Sequence, residues 1–188
     1  MAMKDGVSGL VYAKLLTDTT TATTYGPITP IPGLASISNK TASDIAIFYA
    51  DNGPYESSSS MGEITVEAEL ADPTNVIIAD ILGHTITAGV MEFKSTDVPA
   101  VIAIGFVGQK TNGKKRLVWL TKGSFAEPDD DYKSKADKSD PQAIKLSGKF
   151  LLRNSDKMWK KVCDEDDAAT LPATVSAWFT LPTIVVGP

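Results

Sequence analysis

The strictest constraint in this sequence is the alternation of side chains over residues 62–70. Ile64, Val66, Ala68 and Leu70 occupy every second position, and polar residues stand between them. Successive side chains of a β-strand point to opposite faces, so a period of two predicts a strand with one apolar and one polar face. Such a strand needs a sheet to pack in, and the chain is therefore predicted to be mainly β.

Further segments extend this pattern. Strands are predicted over residues 7–16 and 43–50, a β-hairpin around Asn112-Gly113, and a second hairpin that joins residues 142–152 to 157–163. One helix is predicted between an N-cap at Asp72 and a stop at Gly83, and a short one near Pro172. With about eight strands, the expected fold is a β-sandwich or barrel with one flanking α-helix and extended loops.

The length of 188 residues predicts a single domain over residues 1–188. A long loop is expected at about residues 49–61, because Asp51-Asn52-Gly53-Pro54 and the serines at 57–60 are typical breakers. A C-terminal tail is expected at about residues 180–188. The first residues lack the apolar run of a secretory signal, and no segment is typical of a membrane span, so we expect a cytoplasmic place of synthesis and assembly.

Several classes of function are disfavoured by composition. The formal net charge of −5 makes the chain a poor binder of nucleic acid phosphates. The single histidine, His84, and the single cysteine, Cys163, have no companion motif for catalysis or metal binding, and both are predicted to be structural. No phosphate-binding or nucleophile-elbow motif is present. We expect no enzymatic activity, no metal and no cofactor.

The distribution of charge is uneven. Residues 51–100 hold nine acids and one base, whereas residues 101–126 hold five bases and no acid. Patches of this kind predict electrostatic matching between copies of a self-associating protein. The acidic run at residues 164–167 is predicted to be a solvated turn or a charged contact with a partner.

Several segments together resemble the major tail protein family of long-tailed bacteriophages. They stand in the family's order between Val7 and Phe179. The segments are Phe48-Tyr49-Ala50-Asp51-Asn52-Gly53-Pro54-Tyr55-Glu56, Gly62-Glu63-Ile64-Thr65-Val66-Glu67, Leu82-Gly83-His84-Thr85, Ala103-Ile104-Gly105-Phe106, Asn112-Gly113-Lys114 before Val118-Trp119-Leu120, and Cys163-Asp164-Glu165-Asp166-Asp167 before Ala177-Trp178-Phe179.

The resemblance implies the phage tail tube fold and a structural role in the virion tail. Proteins of this family assemble into stacked hexameric rings, whose channel holds the tape-measure protein and then passes the genome during ejection into the host. Other expected partners are the tail terminator and the distal tail or baseplate proteins at the two ends. DNA would be a transient occupant without specific binding, and no membrane contact is implied.

Two sets of residues become candidates for this role. Glu63, Thr65, Glu67 and Glu69 share the polar strand face, and we expect them to line the lumen, where carboxylates would repel passing phosphates over about 8–10 Å. An exposed face of an ordinary sandwich would show the same alternation. The expected inter-subunit or inter-ring loop comprises Tyr49, Asp51, Asn52, Gly53, Pro54, Tyr55, Glu56, Ser57, Ser58, Ser59 and Ser60.

Two alternative functions stay open at this point. A tube subunit of a phage-derived injection machine would share the same features. A ligand- or carbohydrate-binding β-sandwich module would instead need exposed aromatic residues or a calcium site.

Overall fold

The computed structural model describes residues 2–50, 53–129, 143–180 and 184–185, and for residues 44–50 and 53–60 it describes the backbone alone. The described part contains eleven strands and two helices. In chain order they are β1 (Lys4–Asp18), β2 (Thr23–Tyr25), β3 (Thr29–Ile31), β4 (Leu34–Ala50), β5 (Gly53–Leu70), α1 (Asn75–Leu82), β6 (Thr85–Thr87), β7 (Val90–Glu92), β8 (Ile102–Lys110), β9 (Lys115–Phe125), β10 (Ile144–Phe150), β11 (Lys160–Asp164) and α2 (Pro172–Ser176). The expectation of a mainly β protein is confirmed.

Nine of these strands form one antiparallel sheet. Its order is β2-β1-β8-β9-β10-β5-β4, with β3 paired to β1 and β11 paired to β9. The last strand, β4, returns to lie beside β1, with Cα atoms 8 Å or less apart. The sheet therefore curls around an interior, and β6 and β7 form a separate two-stranded ribbon.

The sheet is buried on both of its faces at β1, β8 and β9. The inner face holds Ile102, Ile104 and Leu120, which pack with residues of β5, β10 and α1. The outer face holds Ala103 and Trp119, which pack against Trp178 and Ile184 near the end of the chain. Adjacent residues of one strand thus serve two different hydrophobic clusters, as the strand period requires.

Trp178 and Ile184 are held in place by polar contacts as well. The indole nitrogen of Trp119 donates to the carbonyl oxygen of Trp178 at 2.9 Å. Arg153 is only 1 % exposed, and its guanidinium pairs with Asp156 and donates to the carbonyl oxygen of Ile184. Within the expected C-terminal tail at about residues 180–188, Ile184 is 1 % exposed and packs in this cluster; residues 181–183 and 186–188 lie outside the described part.

The structure confirms most of the predictions that were made from short sequence motifs. Residues 62–70 lie in β5, the Asn112-Gly113 turn joins β8 to β9, and Gly83 ends α1 in the left-handed conformation that glycine adopts freely. The N-cap of α1 is Thr74 rather than Asp72, so that prediction was two residues early. Four three-residue strands, β2, β3, β6 and β7, raise the strand number above the expected eight.

The predicted second hairpin is wrong. β10 and β11 do not pair with each other; both pair with the same edge of β9, β11 over Arg116–Leu120 and β10 over Gly123–Phe125. The physical reason is that β9 is long enough to offer two successive partners. The segment between β10 and β11 therefore crosses from one partner site to the next instead of reversing as a tight turn.

The predicted loop at residues 49–61 is also corrected. Backbone pairing of β4 with β5 continues from Ser43–Met61 to Ala50–Gly53, so this segment is mostly strand; Asp51 and Asn52 lie outside the described residues. Serine forms backbone hydrogen bonds as well as any residue does, and a run of serines therefore does not end a ladder that its partner strand supports. Pro54, which lacks an N–H, stands beside a register shift near the end of the ribbon.

Candidate functional site

The strand face predicted to line a lumen points outward, with Glu63 exposed and Thr65, Glu67 and Glu69 half-buried. Along β5, Ile64, Val66, Ala68 and Leu70 are at most 2 % exposed, and the four polar positions between them point outward. β10 and β4 pair with β5 on its two sides over this length. Together they make one surface, here called the polar face, composed of Ser36, Ser38, Lys40, Glu63, Thr65, Glu67, Glu69, Lys145, Ser147 and Lys149.

The charge of the polar face differs from the expected wall of carboxylates. Lys149 lies 3.0 Å from Glu63, and Lys145 and Lys40 lie 3.5 Å and 3.9 Å from Glu67. Three lysines thus balance three glutamates, and the formal charge of the face is zero. Exposed pairs of this kind each contribute between zero and about 1 kcal/mol of stability, so the face is not held rigid by them.

The second feature is a two-stranded extension of the sheet. Before Ile64, β5 has no pairing with β10 among the described residues, and β4 ends the strand order. Residues 43–50 and 53–61 therefore pair only with each other within the described chain. We call this ribbon the arm; at the usual rise per residue it is about 25 Å long.

The basic stretch at residues 101–126 is largely neutralised inside the chain. Lys110 is 7 % exposed at its side chain and pairs with Asp164 at 3.1 Å and with Asp166. Arg116 holds both oxygens of Asp164. Lys114 pairs with Glu165 at 3.5 Å, so the acidic run at residues 164–167 serves as the counter-charge of the β8–β9 hairpin.

This arrangement changes the expectation drawn from uneven charge. Four of the five bases in residues 101–126 have an intramolecular partner, because Lys122 also lies 2.6 Å from Asp18. Few of them are left to match an acidic surface of another copy. The ion pairs have a measurable consequence: hydrogen bonding to Arg116 lowers the pKa of Asp164 to about 2, Lys110 adds to this, and burial opposes it.

His84 bridges two loops. Its Nδ1 lies 2.8 Å from Asp97 and its Nε2 lies 3.0 Å from Glu127, while its ring packs on Phe93 at a centroid distance of 4.4 Å. Burial lowers the pKa of His84, but the bond to Asp97 and the charge of Glu127 outweigh it and raise the pKa above its ordinary value. A histidine held by two carboxylates fits the structural role predicted for it.

The other chemistry-bearing residues have ordinary positions. Cys163 is 8 % exposed and packs in the cluster that contains Trp119 and Trp178, as predicted for a small core residue. Within the described ranges, no group of three or more His, Cys, Asp or Glu side chains is placed to hold a metal ion. In the same ranges, no helix has the length and apolar character needed to cross a bilayer.

The ion pairs of Asp164 predict a specific dependence of stability on pH. A carboxyl whose pKa is lowered on folding stabilises the protein above its unfolded pKa near 3.8, and this contribution is lost as the pH falls towards about 2. We expect Asp164→Asn to lower the free energy of unfolding at pH 7 by about 1 kcal/mol, after allowance for solvent screening, and to flatten its slope between about pH 4 and pH 2.

Urea unfolding at a series of pH values measures both effects. Asp5→Asn is the matched control, because Asp5 is exposed and has no ion pair among the described residues. An unchanged slope in Asp164→Asn would contradict the assigned role of these ion pairs.

Comparison with known proteins adds no assignment to this geometry. No model of a known protein family matches the chain, and a search among curated proteins gave no match. The arm, the polar face and the resemblance of the sequence segments are the features that bear on function.

Proposed function

We propose that this protein is a structural, non-enzymatic subunit of a bacteriophage tail tube. Copies of the chain assemble into stacked hexameric rings around a channel, which holds a tape-measure protein and later delivers the genome. The rings are made in the host cytoplasm and become part of the virion tail, with terminator and distal tail or baseplate proteins at the ends. The observation that carries this proposal is the arm.

The arm is an incomplete structure in a single copy. A two-stranded ribbon in water is marginally stable, and its outer edges present unpaired N–H and C=O groups. No third strand of the described chain pairs with the arm, so its backbone ladder is limited to its own two strands. An extension of about 25 Å whose two outer edges are unpaired within the described chain is suited to contact a neighbouring copy.

The polar face suits a channel wall in spite of its balanced charge. Proteins grip DNA when lysine and arginine replace the counterions of the phosphates. A face with equal numbers of glutamates and lysines offers no net positive surface for this exchange. The proposed lumen-lining residues are still Glu63, Thr65, Glu67 and Glu69. The channel wall now also includes the neighbouring lysines Lys40, Lys145 and Lys149.

Electron microscopy of the purified protein tests the proposal. We expect negatively stained tubes of uniform width from the full chain at high concentration. In a trimmed variant, residues 44–60 are replaced by Asn-Gly, which can join the paired residues Ser43 and Met61 by a two-residue turn. The trimmed variant should stay monomeric, because the proposed contact element is gone.

A thermal melt of the trimmed variant provides the control for folding, since the pairing of β5 with β10 and the pairing of β4 with β5 as far as Ser43 and Met61 lie outside the replaced segment. Tubes of normal width from a folded trimmed variant would refute the role of the arm. A full chain that stays monomeric at all concentrations and binds sugars would refute the tube and favour the carbohydrate-binding alternative.

The wall assignment predicts an effect of charge on DNA passage. Replacing Glu63, Glu67 and Glu69 together by Lys should leave the subunit folded, since substitutions at exposed positions usually change stability by about 0.5 kcal/mol or less. The polar face would then carry six lysines and no glutamate, and we expect slower or blocked genome ejection from particles with such tails. The matched variant with three Gln in place of the three Glu should give an intermediate rate.

Ejection at the normal rate from the triple-Lys particles would contradict the assignment. So would a structure of the assembled tube in which the polar face lies on the outer wall.

A further inference from the structure

A basic pocket lies where the interior of the curled sheet opens towards the start of β1. Its volume is about 180 Å³. Strands β1, β4, β8, β9 and β11 all contribute to its lining, which includes Lys4, Asn39, Phe106, Arg116, Val118 and Lys160. Three cations thus surround a cavity whose remaining walls are largely apolar.

The positive charge of this pocket is only partly compensated. Arg116 is paired with Asp164. Within the described residues no carboxylate lies within 4 Å of the ammonium group of Lys4 or of Lys160, so the three cations and the one carboxylate leave a formal charge of +2. Lys160 is half-buried; its burial lowers its pKa, and the charges of Lys4 and Arg116 lower it further.

The ammonium group of Lys160 lies 5.5 Å from the ring centroid of Trp159, but an aromatic ring carries no net charge. An anion would therefore still stabilise this half-buried ammonium group beside two other cations. The apolar walls indicate that this anion arrives on a larger, partly apolar element rather than as a free hydrated ion. A carboxylate carried by another protein surface meets both requirements.

The arm has the complementary composition. Residues 43–61 contain Asp44, Asp51 and Glu56 and no lysine, arginine or histidine. The same segment is rich in apolar and aromatic residues, namely Ile45, Ile47, Phe48, Tyr49 and Tyr55. Within the described chain its two strands pair only with each other.

We propose that the basic pocket around Lys4 and Lys160 is the receptor for the arm of a second copy of this chain. The inference rests on the proposed tube function and names the surface that the arm contacts. The contact joins two different surfaces of the same protein, so each subunit both gives an arm and receives one. Heterologous contacts of this kind close into rings or propagate as filaments, which a stacked tube requires.

A charge exchange tests the proposal. Lys160→Glu and Glu56→Lys should each reduce the amount of sedimentable assembly about tenfold or more, because a buried charge then meets a like charge. The double variant restores an opposite pair and should recover assembly to within about threefold of the unmodified chain. Lys157→Glu makes the same charge change on an exposed turn and should assemble normally.

Each variant is first shown to melt at a temperature close to that of the unmodified chain, so that loss of assembly is not loss of fold. Single variants that assemble normally would overturn the proposal, as would a double variant that fails to recover although both single variants are impaired.

A second measurement uses the unmodified protein. Acetylation of lysines, read by mass spectrometry, should modify Lys160 in free subunits and should slow at least about fivefold in assemblies, while Lys157 reacts equally in both. Equal reactivity of Lys160 in both states would also overturn the proposal. Protection of Lys160 already in free subunits would show that a segment of the same chain fills the pocket, which contradicts occupancy by a second copy. If the unmodified chain forms no assembly at all, it is the proposed function itself that fails.

Discussion

The antiparallel ladder between β4 and β5 is the constraint on which the rest of this structure depends. Along its first half, β10 and the curled sheet complete the pairing, and the period of two places apolar side chains inside and charged ones outside. Along its second half, the same ladder continues without further strands and becomes the arm. One pair of strands therefore creates both candidate surfaces, and a register shift between Thr41 and Ser43 separates them.

Charge in this protein is organised mainly within the subunit. The acidic run at residues 164–167 neutralises the β8–β9 hairpin, and Lys122 is neutralised by Asp18. Lysines from the neighbouring strands balance the glutamates of β5. The basic pocket around Lys160 differs from this pattern, because its lining keeps a net positive charge. We therefore expect a negative charge from another copy there, and the charged residues of the arm are all acidic.

Local signals in the sequence were sufficient for part of the fold. The alternation at residues 62–70, the glycine stop at Gly83 and the Asn112-Gly113 turn each depend on the backbone preferences of a few adjacent residues, and all three were predicted correctly. The correct face of β5 followed from the same period. Side-chain polarity alone thus identified which residues point outward.

What the sequence could not supply was strand pairing over long distances. β10 and β11 pair with one edge of β9, although they are distant from it in sequence. The same long-range pairing places Lys145 and Lys149 beside the glutamates of β5. The serines at residues 57–60 predicted the end of a strand, because the β-propensity of a residue does not include the hydrogen bonds that a partner strand provides. The basic pocket could not be predicted either, because its cations come from three strands that are distant in sequence.

We propose that the outer edges of the arm are unpaired in one subunit and are covered by a neighbouring copy in the assembly. Amide hydrogen exchange on free subunits and on assembled tubes measures this directly, because outward-facing amides of an isolated ribbon exchange with solvent and those covered by a neighbour do not. We expect the largest gain in protection on residues 43–50 and 53–61, with little change in β8 and β9. Equal protection of the arm in the two states would contradict it.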